Sequence, residues 1–410
     1  MAVGKGTMPL FPAIKGIRLG TAAAGIKYEG RKDLVLIELT EGSSCAGVFT
    51  QNAFCAAPVH LCKRHLLGSG IASKSKAYLL INTGNANAGT GQQGMVDAAL
   101  TCQCVASNCS VTSANVLPFS TGVIGEKLPV EKIEQGIPQA ISNLSEHHWL
   151  DAAQGILTTD TRPKGASTQV QYAGHTLTIN GISKGAGMIK PNMATMLAFV
   201  GTDACLSQDL IQNLLSEISE LSFNRITVDG DTSTNDSCIL FASGQSNAPE
   251  IEVHHEDFPA FKLALTEVFI TLAQAIIKDA EGATKFVSVI VEQALTSKEA
   301  LDIAYTIAHS PLVKTALFAS DPNWGRILAA LGRAPIENFE LDLVNIFLGD
   351  VCIVSAGERC SSYREEEGQA VMDQDEIFIR IKLGRGQSTE TVWTSDLSHD
   401  YVTINAEYRS

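Results

Sequence analysis

The chain has 410 residues, of which 45% are hydrophobic and 18% are charged, and its formal net charge at pH 7 is −14. At about 150 residues per domain, this length allows two or three hydrophobic cores, and the composition is that of a compact globular protein rather than a disordered one. The negative charge argues against nonspecific nucleic-acid binding, which requires a basic surface.

The N-terminal segment and the cysteines indicate where the protein works. The first 20 residues contain no apolar core long enough for a signal peptide and no Arg/Ser-rich amphipathic pattern of a transit peptide. No run approaches the ~18 apolar residues of a membrane span. The ten cysteines form no CxxC pair and the nine histidines form no HExxH motif. We therefore expect a cytoplasmic protein with reduced thiols and no metal site.

The first half of the chain alternates between short strands and helices. Apolar segments bounded by turn residues predict strands, and helical periodicity, in one case with proline in the first turn, predicts helices. The predicted strands are residues 34–38, 45–50 and 77–81, and the predicted helices are about 95–105, 129–144 and 147–154. Alternating side chains over residues 168–180 predict a β-hairpin that turns at Ala173-Gly174-His175.

A glycine-rich segment at residues 89–94 matches the GxGxxG pattern of dinucleotide-binding loops. Such a loop needs its first glycine directly at the end of a strand and an acidic residue ~20 positions later, at the tip of a second strand. Here about seven residues separate the predicted strand from the first glycine, and residues 113–115 are Ser, Ala and Asn. We therefore reject a nucleotide site.

The second half of the chain begins with a strand that runs to Val200 and an amphipathic helix at about 207–221. Residues 228–236 are rich in oxygen ligands but lack the glycine and glutamate of an EF-hand, so they predict a polar loop near the site. A long helix is predicted at 259–278, and the strand-helix-strands order from residue 286 predicts a smaller α+β subdomain. Alternation over residues 401–405 predicts a final strand.

One stretch, residues 184–199 (KGAGMIKPNMATMLAF), stands out chemically. Its two nearby glycines allow positive φ or close backbone approach, and Pro191 favours extended geometry at Lys190. Thr195 then stands at the edge of an apolar run. Spacing alone favours a Gly-Pro turn that leads into a buried strand, with Thr195 an ordinary β-branched strand residue.

As a string of letters, this stretch closely resembles the self-cleavage signature of the glutamate N-acetyltransferase family, also called ornithine acetyltransferases or the ArgJ family, of arginine biosynthesis. The resemblance recurs along nearly the whole chain, in AGVFTQNAFCAA, NTGNANAGTG, STGVIG, TTDTRPK, TVDGDTSTNDS and NAEYR. It implies that the Ala194–Thr195 bond is broken autocatalytically and that Thr195 becomes the nucleophile. It also implies an α+β fold, a layered α/β/β/α sandwich of the N-terminal-nucleophile-like type.

The resemblance implies further site residues. The Thr-Gly pair of the STGVIG motif forms the oxyanion hole of the family, which corresponds here to Thr121 and Gly122. The family's substrate contacts fall on Thr158, Lys184, Thr195, Glu281, Asn405 and Ser410. The usual last residue of the family is threonine, and serine keeps its hydroxyl but lacks its methyl. On local sequence alone, the Ser-Thr-Gly segment is a turn and Thr158 is a turn residue or helix cap.

The resemblance divides the chain into a catalytic domain at 1–285, a smaller subdomain at 286–398 and a tail at 399–410 that returns to the site. Cleavage gives chains 1–194 and 195–410, with an α2β2 heterotetramer expected. Acetyl transfer from N2-acetylornithine to glutamate through an acetyl-threonine enzyme is the expected reaction. No cofactor is expected, and the sequence leaves open whether acetyl-CoA is a further donor.

Two rival functions serve for comparison, and the family resemblance makes both of them minor. An N-terminal-nucleophile aminopeptidase or amidase on the same scaffold would use water as the acceptor. A non-catalytic or nucleotide-binding α/β protein would rest on the GxGxxG match alone. Acetylornithine hydrolysis without glutamate distinguishes the first, and nucleotide binding without self-cleavage distinguishes the second.

Overall fold

The computed structural model of the chain describes residues 2–67, 75–190 and 196–407. Their strands and helices are, in chain order, β1 (Ile17–Ala22), β2 (Leu34–Leu39), β3 (Ser44–Phe49), α1 (Ala57–Leu67), β4 (Ala77–Asn85), α2 (Gly91–Cys109), β5 (Val116–Val123), α3 (Val130–Ser142), α4 (Trp149–Gly155), β6 (Lys164–Tyr172), β7 (His175–Lys184), β8 (Leu197–Thr202), α5 (Gln208–Leu221), β9 (Ile226–Thr227), β10 (Ser237–Ala242), α6 (Phe258–Lys278), β11 (Phe286–Ala294), α7 (Ser297–Ala308), α8 (Pro311–Phe318), α9 (Trp324–Gly332), β12 (Asn345–Leu348), β13 (Val351–Ser355), β14 (Glu358–Arg359), α10 (Glu365–Met372), β15 (Glu376–Lys382), β16 (Ser388–Ser395) and α11 (His399–Ala406).

Two sheets form the centre of the molecule. The first has the order β1-β2-β4-β5, and the second has the order β3-β10-β8-β7-β6. Phe119 of the first sheet and Phe199 of the second are both buried, and their rings meet edge to face with centroids 5.1 Å apart. All six residues of β2 and all six of β8 are buried, as expected for strands covered on both faces.

Helices cover the outer face of each sheet. Cys102 of α2 and Ile137 of α3 belong to one buried cluster with residues of β2 and β4. Leu215 of α5 and Leu272 of α6 belong to another with residues of β8 and β10. The layers therefore run helix, sheet, sheet, helix, and the predicted α/β/β/α sandwich is confirmed.

Helix α6 is the one described helix that is long and apolar enough to cross a bilayer, with a mean hydropathy of 1.6 over its best window. Nine of its residues are buried in the sandwich. A Cβ at Gly181 of β7 would lie 2.7 Å from Leu272 of α6, so the helix packs closely on the second sheet. This is the packing of a core helix.

The third sheet, in the order β14-β13-β12-β15-β11-β16-β9, is built mainly from the segment predicted to form a smaller subdomain. Ile303 of α7 and Leu331 of α9 are buried in one cluster with Val289 of β11 and Ile379 of β15. Strand β9 comes from the sandwich part of the sequence and pairs in parallel with β16. The subdomain sheet thus reaches back beside the site, and the boundary at residue 285 stays a prediction.

The strand predicted for residues 401–405 is wrong, because these residues lie in helix α11. Ser398 caps this helix, its side chain accepting a hydrogen bond from Tyr401 N at 3.3 Å. The alternating pattern and the three β-branched residues at 402–404 suggested a strand, but none of the helix residues is buried. A side-chain cap therefore outweighs local propensity, and none of the described strands pairs with this segment.

Candidate active site

A cavity of about 250 Å³ lies where β5 and β7 end and β8 begins. Six of the predicted site residues line it, namely Thr121, Gly122, Thr158, Lys184, Glu281 and Asn405. Met196, the residue bonded to Thr195, lines it as well. Ala194, Thr195 and Ser410 lie outside the described residues.

The Thr121-Gly122 pair lies near the end of strand β5, where it pairs with Thr83 and Gly84 of strand β4. Gly122 has a φ of 138°, and a Cβ there would lie 2.3 Å from the carbonyl carbon of Gly84. Only glycine fits this backbone and this approach. Asn235 fixes the preceding residue, since its side-chain amide donates to the carbonyl of Ser120 at 2.9 Å.

Lys184 places a cationic group in contact with this pair. Its Nζ donates to the hydroxyl oxygen of Thr121 at 3.1 Å. The residue is only 8% exposed, and burial lowers the pKa of its ammonium although the Asp160 carboxylate works in the opposite direction. The ammonium is therefore shielded from bulk water, and its electrostatic interactions are stronger there because the local dielectric constant is lower.

A network of enclosed carboxylates lies beside Lys184 and interacts with its positive charge. Asp160 accepts hydrogen bonds from Gly185 N at 2.7 Å and from Lys164 Nζ at 2.6 Å, and Lys164 also reaches Asp279 at 2.5 Å. Burial works to raise the pKa of Asp160, but the charges of Lys164 and Lys184 outweigh it and hold that pKa well below its usual value. The carboxylate stays ionised.

Glu281 and Asn405 form the opposite side of the cavity. Asn405 Nδ2 donates to Glu281 Oε2 at 2.9 Å, so the C-terminal helix returns to the site. Glu281 lies beyond the end of α6 rather than within it, and its backbone N donates to Ala186 O at 3.0 Å. A Cβ at Gly187 would lie 2.3 Å from the carboxylate, which explains the second glycine of the predicted signature.

The loop after β9 holds the segment that leads to residue 190. Asp229 accepts hydrogen bonds from Met188 N at 2.7 Å, from Ile189 N at 2.9 Å and from the hydroxyl of Tyr401 at 3.1 Å. Met188 has a φ of 55°, which is uncommon for a residue with a side chain. The polar loop predicted near the site therefore fixes the backbone of residues 188–189, which precede the predicted cleavage bond.

Sequence reasoning did not select two carboxylates of this region, Asp160 and Asp236. Asp160 stands in the threonine-rich segment whose first threonine was selected, and Asp236 ends the polar loop. The side chain of Asp160 is fully enclosed, and Asp236 is buried and lines the cavity. An acidic residue in a polar loop is usually solvated, so only the long-range packing identifies them. Within the described ranges, no group of three His, Cys, Asp or Glu side chains is placed to hold a metal ion.

Comparison with known proteins identifies the family. The model of the ArgJ family matches residues 18–410. The chain is 56% identical over 411 residues to the arginine biosynthesis bifunctional protein ArgJ of Pseudomonas fluorescens (strain Pf0-1), covering 100% of both chains. The chain belongs to the ArgJ family. It is also 55% identical over 397 residues to the protein of the same name from Methylococcus capsulatus, covering 97% of this chain and 96% of that one.

A solved ArgJ structure is related as well. The crystal structure of the arginine biosynthesis bifunctional protein ArgJ from Bacillus halodurans is 39% identical, with a TM-score of 0.48, and covers 50% of this chain and 95% of that chain. The predicted family and the predicted class, an acyltransferase of arginine biosynthesis, are confirmed by the family match. The aminopeptidase or amidase alternative is not favoured.

Proposed function

We propose that the protein is a self-cleaving N-acetyltransferase that moves the acetyl group of N2-acetylornithine to glutamate. The observation that carries this function is the gathering of Thr121, Gly122, Lys184 and Glu281 around one cavity beside Met196. A solved relative from Mycobacterium tuberculosis, 31% identical, is described as an ornithine acetyltransferase in complex with ornithine.

Self-cleavage comes first in the proposed sequence of steps. The hydroxyl oxygen of Thr195 attacks the carbonyl carbon of Ala194, the C–N bond breaks and the nitrogen takes up a proton. Water then hydrolyses the resulting ester, which leaves a carboxylate on Ala194 and restores the hydroxyl of Thr195. The products are chains 1–194 and 195–410, and the second begins with a free α-amine. The reference pKa of such an amine, ~7.7–8.0, suits a general base near neutral pH.

Acetyl transfer then follows in two halves. The α-amine takes the proton of the Thr195 hydroxyl as its oxygen attacks the acetyl carbonyl of N2-acetylornithine, and ornithine leaves with a proton on its amine. The α-amine of glutamate attacks the acetyl-threonine ester and regenerates the enzyme, which gives ping-pong kinetics. Thr121 and Gly122 hold the oxyanion in both halves. Lys184 supplies positive charge through its contact with the Thr121 hydroxyl.

The remaining cavity residues are proposed to bind the substrates. Glu281 and Asn405, joined by a hydrogen bond, present a negative charge and an amide. Lys184 offers a positive charge to a substrate carboxylate. Thr158 and Ser410 complete the proposed substrate contacts.

The experiment that tests this function compares purified wild-type protein with Thr195→Ala and Thr195→Ser. We expect the wild type to convert N2-acetylornithine and glutamate to ornithine and N-acetylglutamate. The alanine variant should show neither self-cleavage nor acetyl transfer. The serine variant should retain cleavage and measurable transfer, because it keeps the hydroxyl. Release of acetate without any N-acetylglutamate would instead favour the hydrolase.

Acetyl-CoA is proposed as a second acetyl donor. The relatives from Pseudomonas fluorescens and Methylococcus capsulatus are named bifunctional proteins. A neighbouring cavity of about 230 Å³ shares Gly122 and Thr158 with the site, and its lining includes the cations Lys27 and Arg31 as well as the acidic residues Asp33 and Glu407. Acetyl-CoA with glutamate should give N-acetylglutamate in the absence of acetylornithine. If no N-acetylglutamate forms, acetyl-CoA is not a donor.

The assembly and the location are also proposals. We infer an α2β2 heterotetramer of the two cleaved chains, working in the cytoplasm without a cofactor. Light scattering of cleaved protein should give about twice the mass of one precursor. A mass equal to one precursor would show a single αβ pair instead.

A further inference from the structure

The C-terminal helix α11 carries a proposed site residue but contains no buried residue. Its eight residues are all at least partly exposed, and Tyr401 among them is partly buried against the sandwich core. A helix of this length is not stable by itself in water, so its contacts with the rest of the protein hold it in place. Its Asn405 nevertheless reaches Glu281 at 2.9 Å. The position of Asn405 therefore depends on how the start of α11 is anchored.

One lysine of helix α8 holds the segment that leads into α11. The Nζ of Lys314 donates to the hydroxyl oxygen of Thr394 at 2.9 Å and also to the carbonyl oxygen of Ser395. The carbonyl oxygen of Lys314 accepts a hydrogen bond from Leu397 N at 3.2 Å. These partners lie at the end of β16 and in the connection to α11. Side chain and backbone of a single residue thus fix the start of the tail.

The same face of α8 also contacts α11 itself. Phe318 lies four residues after Lys314, and residues with this spacing share one face of a helix. The ring of Phe318 meets the ring of His399 edge to face, with centroids 5.6 Å apart. His399 is the first residue of α11. Helix α8 therefore contacts both the connection and the helix that follows it.

The charge of Lys314 faces two carboxylates that hold segments next to the site. The residue is 3% exposed, and burial lowers the pKa of its ammonium to about 8, although the carboxylates of Asp396 and Asp229 oppose this effect. Asp396 accepts a hydrogen bond from Thr284 N at 2.8 Å, and Asp229 accepts one from the hydroxyl of Tyr401 at 3.1 Å. A buried ammonium needs such partners to offset its desolvation. The lysine is therefore held in a defined place beside α11.

We propose that Lys314 is a positioning residue for substrate binding and that it acts through Asn405. By anchoring the start of α11, it places the Asn405 amide where it meets Glu281 at the cavity. Lys314 is not among the described residues that line the cavity, so its effect on the substrate passes through the helix. The inference rests on the proposed function, since it takes Asn405 to be a substrate contact.

The experiment uses the full chain with Lys314→Met, which keeps an unbranched side chain and removes the ammonium. The matched control is Lys285→Met, a buried lysine whose Nζ donates to Gln374 O at 2.9 Å, away from α11. For Lys314→Met, KM for N2-acetylornithine should rise by about 3- to 10-fold while kcat changes by less than about 2-fold. Backbone amides of residues 399–406 should exchange hydrogen faster than in the wild type. The control should keep the wild-type KM and the wild-type exchange of these amides.

A double variant shows whether the effect passes through Asn405. Two changes that act through one contact are not additive. Lys314→Met combined with Asn405→Ala should therefore have a KM within about 2-fold of that of Asn405→Ala alone. Two increases in KM that multiply in the double variant would overturn the inference, because Lys314 would then act by another route.

The remaining outcomes also decide the inference. A wild-type KM and wild-type exchange of residues 399–406 in Lys314→Met would overturn it. If that variant does not fold, His399→Ala at an exposed position should speed the same exchange and raise KM, and wild-type values there would count against us. Absence of acetyl transfer by the wild type would instead refute the proposed function, and hydrogen exchange would still report whether Lys314 anchors the helix.

Discussion

The sharpest test of the oxyanion pair is Gly122→Ala. A Cβ at this position would lie 2.3 Å from Gly84 C, 2.5 Å from Asn85 N and 2.6 Å from Gly84 O, all of them backbone atoms. Carbon atoms in contact are normally about 3.5–4.0 Å apart, so β4 and β5 must separate by roughly 1 Å. The φ of 138° adds strain for any residue with a side chain.

The consequence for catalysis follows from this displacement. A shift of about 1 Å in a positioning group can cost ~100-fold in rate, and loss of one oxyanion donor costs a similar factor or more. We therefore expect Gly122→Ala to lower kcat by about 100-fold or more. Because the oxyanion exists only in the transition state, KM should change much less. The assay is single-turnover acetylation of the cleaved protein, followed by intact mass.

The matched control is Gly125→Ala. Gly125 lies three residues further along, has a φ of 85°, and a Cβ there would meet no atom within 4 Å. This variant carries backbone strain without the clash, so it should acetylate at nearly the wild-type rate. The reasoning is refuted if Gly122→Ala acetylates as fast as the wild type, or if Gly125→Ala is equally slow.

The remaining predictions concern the two sides of the cavity. Asn405→Ala removes the hydrogen bond to Glu281, so KM in steady-state kinetics should rise by about 10-fold or more, and an unchanged KM would contradict the proposed contact. Asp160→Asn breaks a buried ion network, so it should cost about 3–5 kcal/mol of unfolding free energy, measured by denaturant titration, whereas Lys298→Ala at an exposed pair should cost almost nothing. The folded-state pKa of Asp160 is lowered, so its stabilising contribution is present above the unfolded-state pKa of ~3.9 and is lost as the pH falls through the folded-state value. Wild-type acid denaturation should show this loss and Asp160→Asn should not.

Local pattern predicted most of the sandwich. The wholly apolar β2, the hairpin around Ala173-Gly174 and the long helix α6 carry strong local signals, and the structure places each within a few residues of its predicted position. Strand β9 could not be predicted, because it has two residues and its partner β16 lies more than 160 residues away. The pairing is fixed only by the folded third sheet.

The candidate site shows the same division between local and long-range information. Family resemblance selected Thr121, Lys184 and Asn405, which line one cavity. It did not select Asp160 and Asp236, whose side chains are enclosed by chain segments far away in sequence. The error at residues 401–405 has the opposite origin, since a local alternation suggested a strand where none of the described strands pairs with the segment.

The central claim is that Thr195 is both the cleavage residue and the nucleophile, and the intact mass of denatured protein tests it most directly. Cleavage before Thr195 divides the 43.6 kDa chain into parts of roughly 21 and 23 kDa, the second beginning Thr-Met-Leu-Ala. We predict these two chains for the wild type, and a single 43.6 kDa chain without acetyl transfer for Thr195→Ala. A wild type that is active as one intact chain, or a cleaved Thr195→Ala, would contradict the account.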